Sequence, residues 1–269
     1  MNNTEFGLSL ASRAAGIARE ARDIILDRRG AAEVSEKGAH DFVTAADRAV
    51  QQLLFTRLKE EFPDFALFGE EGEHELIDRS VPTWVVDPID GTTNFVRGHR
   101  ASVVSVALVF EGDSRIGVIY DPYSDEVFTA ARGAGSFCGE ERLKVSDVSY
   151  SEAIIAMGTI PYDKSNSESF FRMWHRIFLE TNDLRRIGSA ARDIVRIAEG
   201  KIEGYCERGL GTWDFAAASL ILTEAGGVFT DWNGSRVVMD GIKKNVVAAT
   251  PKAAAQLLRC IEEEYNSRA

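Results

Sequence analysis

Residues 4 to 29 place Leu10, Ala14, Ile17, Ala18, Ala21, Ile24 and Ile25 at helical spacing against Arg and Glu, which predicts one helix stopped by Gly30. The next stretch, 33 to 40, is mostly polar and predicts a loop. Thr44 then opens a second helix, with Asp47 at capping-box spacing, Val50, Leu54, Leu58 and Phe62 on its apolar face, and Pro63 as its stop. A short apolar run at 65–68 predicts a strand that ends in Gly69-Glu70-Glu71. Trp84-Val85-Val86 predicts another, ending in Asp87-Pro88-Ile89-Asp90-Gly91-Thr92-Thr93-Asn94-Phe95, where Thr92, Thr93 and Asn94 offer an N-cap to a following helical turn. If these two strands are sheet neighbours, their acidic ends converge.

From 102 to 132 the pattern is that of strands, at 103–110, 115–120 and 126–131, joined by turns into an antiparallel meander that Gly133, Gly135 and Gly139 prolong. After about residue 150 strands and helices alternate. Strands are predicted at 154–156, 184–187, 203–206, 228–230 and 245–249, and helices at 168–181, 189–199 and 213–225. Thr250 and Pro251 start a last helix. Such alternation predicts layered helices and sheets, α+β in 1–150 and α/β in 151–269, within one domain spanning 1–269.

Composition narrows the function. Basic residues number 31 and acidic ones 42, a net charge of −11, which disfavours direct nucleic-acid or anionic-membrane binding. No apolar run approaches membrane-spanning length, and the N-terminus lacks the basic and apolar regions of a signal peptide. Cys138, Cys206 and Cys260 form no close pair, which fits a reducing, cytoplasmic setting. An acidic chain that handles an anionic substrate needs cations to do so.

The acids at 87 and 90 bracket a stiff Pro88, and Gly91 allows a sharp turn beyond them. Hard divalent cations take such oxygens, and phosphate takes free N–H groups and cations. Taken singly, Asp214 is a helix-start acid favoured by the dipole, Glu70 and Glu71 a solvated pair, and Asp87 and Asp90 turn formers. His40, His74, His99 and His175 have no metal-ligand spacing and read as structural or surface residues.

Together the acids read differently. Trp84 to Phe95 and Trp213 to Gly227 resemble the two signature motifs of the inositol monophosphatase family, with Gly69-Glu70-Glu71 and Asp41-x-x-Thr44-x-x-Asp47 at the family's spacing. The resemblance implies a five-layered αβαβα sandwich of the sugar-phosphatase type. It also implies lithium-sensitive, Mg²⁺-dependent phosphate-monoester hydrolysis with two or three ions, in a homodimer. Residue by residue, it implies that Glu70, Asp87 and the Ile89 carbonyl hold one Mg²⁺, while Asp87, Asp90 and Asp214 hold a second. Thr92 and Asp47 would orient the attacking water, with Glu70 also catalytic, and the N–H groups of Gly91 and Thr92 would grip phosphate. Ala190 and Glu207 would contact a small phosphorylated polyol, to which Asp214 would also be close; Lys37 reads equally as a residue near the phosphate entrance and as an exposed loop lysine. The chain departs from the family pattern at Arg100 and Ser102, in the unbroken run Ala216-Ala217-Ala218, and at Arg192 and Arg196, which lie on a helix face that is usually apolar.

Inositol monophosphate is the expected substrate. Fructose 1,6-bisphosphate, histidinol phosphate and 3′-phosphonucleotides are alternatives with the same chemistry. Outside enzymes, the alternatives are a regulatory binding protein, such as a partner of RNA polymerase or ribosome components, and a structural cation site.

Overall fold

The computed structural model describes residues 3–27, 34–38, 41–72, 76–161 and 163–265, with only the backbone described at 3, 34–38 and 41–43. The chain opens with α1 (Asn3–Arg19) and α2 (Arg22–Asp27), so the single helix expected at 4–29 is broken at Glu20 and Ala21. Gly30, its expected stop, lies outside the described residues. Where a polar loop was expected, β1 (Val34–Gly38) pairs antiparallel with β2 (Asp41–Thr44). Backbone pairing in a hairpin needs no apolar alternation, and the sequence pattern therefore carried no sign of it. The side chains of Lys37 and Asp41, and all of His40 and His74, lie outside the described residues.

Thr44 caps α3 (Ala45–Glu61) as expected: its hydroxyl accepts from Ala46 and Asp47 N–H, and the Asp47 carboxylate accepts the Thr44 N–H at 2.8 Å. Then come β3 (Ala66–Gly69), β4 (Thr83–Asp90), the short α4 (Thr92–Arg97) and the expected meander of β5 (Val103–Phe110), β6 (Asp113–Asp121) and β7 (Glu126–Ala131), extended by β8 (Gly135–Cys138) and β9 (Glu141–Arg142). The strand predicted at 84–86 thus runs on through the acidic motif to Asp90. These strands form a seven-stranded sheet in chain order, parallel only between β3 and β4.

The second sheet has the order β11-β10-β12-β14-β13. Its strands are β10 (Ile154–Met157), β11 (Asp183–Arg185), β12 (Gly204–Leu210), β13 (Val228–Asp231) and β14 (Lys244–Ala249). The helices of this half are α5 (Ser167–Glu180), α6 (Ala190–Ala198), α7 (Thr212–Glu224) and α8 (Pro251–Glu264).

Three apolar cores fix the layer order. One lies between α1–α3 and the large sheet, with Leu54, Leu58, Trp84 and Val118. A central one joins the large sheet, α6, α7 and the small sheet, through Val85, Ala107, Ile194, Phe215, Ile221 and Val246. The third joins the small sheet to α5 and α8, through Ile155, Trp174, Val247 and Leu257. The order is helix, sheet, helix, sheet, helix, as the family resemblance implied. α7 is apolar on every side because it has a sheet on each side, and only a helix of that kind can be buried there.

The Ala216-Ala217-Ala218 run has a structural counterpart. The close approach that a small residue on the helix would give is supplied from the sheet, at Gly117 of β6, where an added Cβ would meet the Ala217 carbonyl oxygen at 2.5 Å. Ser114 reinforces the contact by donating to the Ala216 carbonyl at 2.8 Å. Gly117→Ala is therefore expected to destabilise the protein by about 1–3 kcal/mol through overpacking against backbone. Urea unfolding is the check; an unchanged midpoint would place the α7–β6 contact elsewhere.

Candidate metal and phosphate site

The expected convergence of strand ends is present. β3 and β4 are parallel, with Gly69 opposite Val86, and the Glu70 N–H donates to the Val86 carbonyl at 3.0 Å. This sets Glu70 beside Asp87. Against β5, Asp87 stands opposite Ser105 and Asp90 opposite Val103, so three steps on β4 face two on its partner. In a regular strand residues 87 and 90 would point to opposite faces. The bulge restores both to one side. Pro88 lies within it and has no N–H to leave unpaired. Asp214 arrives from the first turn of α7, its Oδ2 accepting the Gly211 N–H at 2.6 Å. One carboxylate oxygen from each of Asp87, Asp90 and Asp214 lies within 4.8 Å of the other two.

Asp90 is held from across the molecule. Ser189, the N-cap of α6, donates its hydroxyl to Asp90 Oδ2 at 2.6 Å, and the Ala191 N–H donates to the same oxygen at 2.7 Å. The Ala190 N–H reaches Oδ1 at 3.3 Å. Asn94 supports this junction by donating Nδ2 to the carbonyls of Ala101 and Ile187, each at 2.9 Å. It does not cap α4. That role falls to Gly91, at φ +93°, where a Cβ would come within 3.1 Å of the Gly188 carbonyl oxygen. A left-handed residue in tight contact with backbone excludes the Ser, Thr or Asn usual at a cap.

Thr92 follows. Its hydroxyl lies 3.2 Å from Asp47 Oδ1 and 3.2 Å from the Ile89 carbonyl oxygen. It has one proton to give, so donation to Asp47 leaves its lone pairs facing the cavity. Asp47 is buried, its other oxygen taken by Thr44, and it can serve as a fixed acceptor.

Burial raises the carboxyls of Asp87 and Asp214 well above the usual range, with neighbouring carboxylates adding to the shift. Asp90 is raised less, because Ser189 and the α6 N–H groups oppose the effect of burial. No Lys or Arg makes an ion pair with Asp87, Asp90 or Asp214 among the described residues. Buried carboxylates without countercharge are costly, and a cation removes that cost. The donors are all oxygen and the cluster is compact, which fits a hard divalent ion such as Mg²⁺ rather than a soft one.

Glu70, Asp90, Gly91, Thr92 and Asp214 line one cavity of about 590 Å³, and so do Ala190 and Glu207. A profile of the inositol monophosphatase family matches residues 3–266. The chain belongs to this family. It is 36% identical to Nus factor SuhB of Vibrio cholerae over 262 residues, 97% of each chain. It is 34% identical to inositol-1-monophosphatase of Mesorhizobium japonicum over 237 residues, 88% of each. The crystal structure of extragenic suppressor protein suhB from Bartonella henselae superposes with a TM-score of 0.88 at 33% identity, covering 95% of this chain and 99% of that one.

In this inositol monophosphatase family member two of the departures from the family pattern, Arg192 and Ser102, have local partners. Arg192 is half-buried, pairs with Glu199 at 2.9 Å and lies 5.1 Å above the Phe128 ring, so its guanidinium replaces apolar packing with an ion pair and a cation–π contact. Arg196 buries an Nε that has no hydrogen-bond partner among the described residues. Ser102 shares a hydrogen bond with Tyr123 at 2.8 Å, and Arg100 takes a left-handed conformation at φ 53°.

Sequence reading missed Asp193 and Arg186, which also line the cavity. Asp193 is buried, its Oδ1 has no hydrogen-bond partner among the described residues, and burial pushes its carboxyl up to about 7. Glu207 is bonded by the Tyr205 hydroxyl, yet burial raises it to about 8. Neither missed residue falls within a signature motif: Arg186 lies in the segment before α6 and Asp193 on the first turn of α6.

Carboxyls with raised folded-state pKa values hold protons that the unfolded chain has lost, so the cation-free protein loses stability as pH rises from about 4 to about 8. Mg²⁺ competes with those protons. Its stabilisation should be larger at about pH 8 than at about pH 5, as read by thermal unfolding. Equal shifts at both pH values, or none, would contradict a cation site at these carboxylates.

Proposed function

We propose that the protein is a Mg²⁺-dependent phosphatase that hydrolyses a small phosphate monoester, with inositol monophosphate or a similar polyol phosphate as substrate. The observation that carries this reading is the meeting of Asp87, Asp90 and Asp214 beside the Gly91–Thr92 turn and the Thr92–Asp47 pair. Glu70, Asp87 and the Ile89 carbonyl would hold one ion, and Asp87, Asp90 and Asp214 a second. Bound there, divalent ions neutralise the ester and lower the pKa of water.

The chain's own groups do the rest. The Gly91 and Thr92 N–H groups orient the phosphate. Thr92, its proton on Asp47, accepts a hydrogen bond from the attacking water and aims it at phosphorus, with Glu70 on the same water. As the new P–O bond forms, the bond to the polyol breaks. The attacking water's proton passes to Glu70, and the departing alkoxide takes a proton from a solvent water, whose hydroxide is neutralised by the proton Glu70 releases. Glu207 accepts from polyol hydroxyls, and the Ala190 backbone borders them. A structural cation site would need no water-aiming pair, which favours catalysis.

A second reading comes from the name Nus factor carried by relatives such as that of Vibrio cholerae. A regulatory role would use another surface and would not require this site. The net charge of −11 argues against direct nucleic-acid contact. Exposed Phe171, Phe178 and Leu179 on α5 supply an apolar face suited to a homodimer contact. Free thiols at Cys138, Cys206 and Cys260 fit a cytoplasmic setting, and no helix among the described residues is long and apolar enough to cross a membrane.

Phosphate release should require Mg²⁺ and fall with added Li⁺, measured over inositol, sugar, histidinol and nucleotide phosphates. No release from any of them at saturating Mg²⁺ would sink the phosphatase reading. Asp90→Asn removes a charge and, by putting an NH2 group in place of one accepting oxygen, gives up the long bond from the Ala190 N–H while Oδ1 of the amide can keep those from Ser189 and Ala191. It should lower kcat by more than about 100-fold while the circular-dichroism melt stays cooperative. Near-normal turnover would refute the assignment of Asp90.

A further inference from the structure

Strand alternation divides the side chains of β12 between two faces. Cys206 joins the third core, while Tyr205 and Glu207 share the opposite face, toward the central core and the cavity. Tyr205 is buried in that central core, which fixes its ring. Its hydroxyl donates to Glu207 Oε2, and Glu207 makes no other hydrogen bond among the described residues, so Oε1 is unspent. Gly158 supports the side chain from the end of β10. The Gly158 N–H donates to the Cys206 carbonyl at 3.1 Å, and an added Cβ at Gly158 would lie 2.6 Å from both Cγ and Cδ of Glu207. The carboxylate arm thus crosses bare backbone. The charges around it pull in different directions: Asp90 and Asp193 repel it, and Arg186 attracts it. A half-buried Glu free to turn would swing away from the acids, and the bond to a fixed phenol prevents that.

Resting on the phosphatase reading above, we infer that Tyr205 is the positioning residue through which the site selects a hydroxyl-bearing leaving group. Tyr205 holds Glu207 by Oε2 and leaves Oε1 to accept from the hydroxyls of that group. The phenol has one proton and gives it to the carboxylate, so it acts on the substrate only through Glu207. A carboxylate that could swing out to water would lose little when an ester without hydroxyls enters. One that is held in place is left with an unpaired oxygen, and the site rejects that ester. Gly158 belongs to the same device, because any side chain there would displace the arm that Tyr205 holds.

The test is steady-state phosphate release with Mg²⁺ from inositol monophosphate and from cyclohexyl phosphate, the same ring without its hydroxyls. Tyr205→Phe keeps the ring in the core and removes only the donor. It should lower the inositol-to-cyclohexyl ratio of kcat/KM by about tenfold, mainly through KM on the inositol ester. Gly158→Ala, which keeps both partners but displaces the carboxylate, should lower the same ratio. In a Glu207→Ala background Tyr205→Phe has nothing to hold and should move the ratio by less than about twofold. An equal loss on both esters is what a merely structural tyrosine would give, and it overturns the inference. So does a ratio that either single variant leaves unmoved, or one that Tyr205→Phe lowers just as far without Glu207. If neither ester turns over, the phosphatase reading fails, and calorimetric titration of the two esters decides the positioning role. A preference for the inositol ester that Tyr205→Phe removes supports it; no such preference, or one that Tyr205→Phe leaves unchanged, rules it out.

Discussion

The architecture depends on keeping like charges together in a place with little water. Asp87, Asp90 and Asp214 would separate on electrostatic grounds if their backbones were free to move. Each is tied instead to N–H donors: Asp87 to Ile89, Asp214 to Gly211, and Asp90 to the start of α6. The Asp90 tie matters most because it crosses from the large sheet to the central helical layer. Through Ser189, Ala190 and Ala191 it fixes where α6 begins. Through Asn94 and Gly188 it also fixes the turn beneath the cavity.

The central layer explains how so wide a site stays rigid. α7 carries Asp214 on its first turn and is packed between two sheets, so the carboxylate cannot withdraw without disturbing the largest core. Its approach to β6 depends on Gly117, and its start on the Asp214–Gly211 bond. Packing energy spread over this core offsets the electrostatic cost at one point. A divalent ion would then relieve that cost and stabilise the folded state.

Much of this was legible in the sequence. Capping chemistry marked Thr44 and Asp47, apolar runs marked the strands that deliver Glu70 and Asp87, and the two signature stretches placed Asp90 and Asp214 in one site. Features that depend on pairing or approach were not legible. The bulge that turns Asp87 and Asp90 to one side follows from the register between β4 and β5, not from the residues of β4 alone. The β1–β2 hairpin has no apolar alternation to announce it. Gly91 took the cap expected of Thr92, Thr93 or Asn94 because backbone from the α6 side crowds it, and that crowding comes from residues almost a hundred positions away. Arg186, before α6, and Asp193, on its first turn, come to the cavity with that same segment, whose Gly188 and Ser189 pack against Gly91.

The central claim is that these carboxylates form a cation site that phosphate shares. Calorimetric titration of Mg²⁺ into the protein, with and without inorganic phosphate, tests it most directly. Phosphate should tighten Mg²⁺ binding, and Asp87→Asn, which weakens the shared ligand, should abolish both the heat and the coupling. Mg²⁺ binding that ignores phosphate and survives Asp87→Asn would contradict the account.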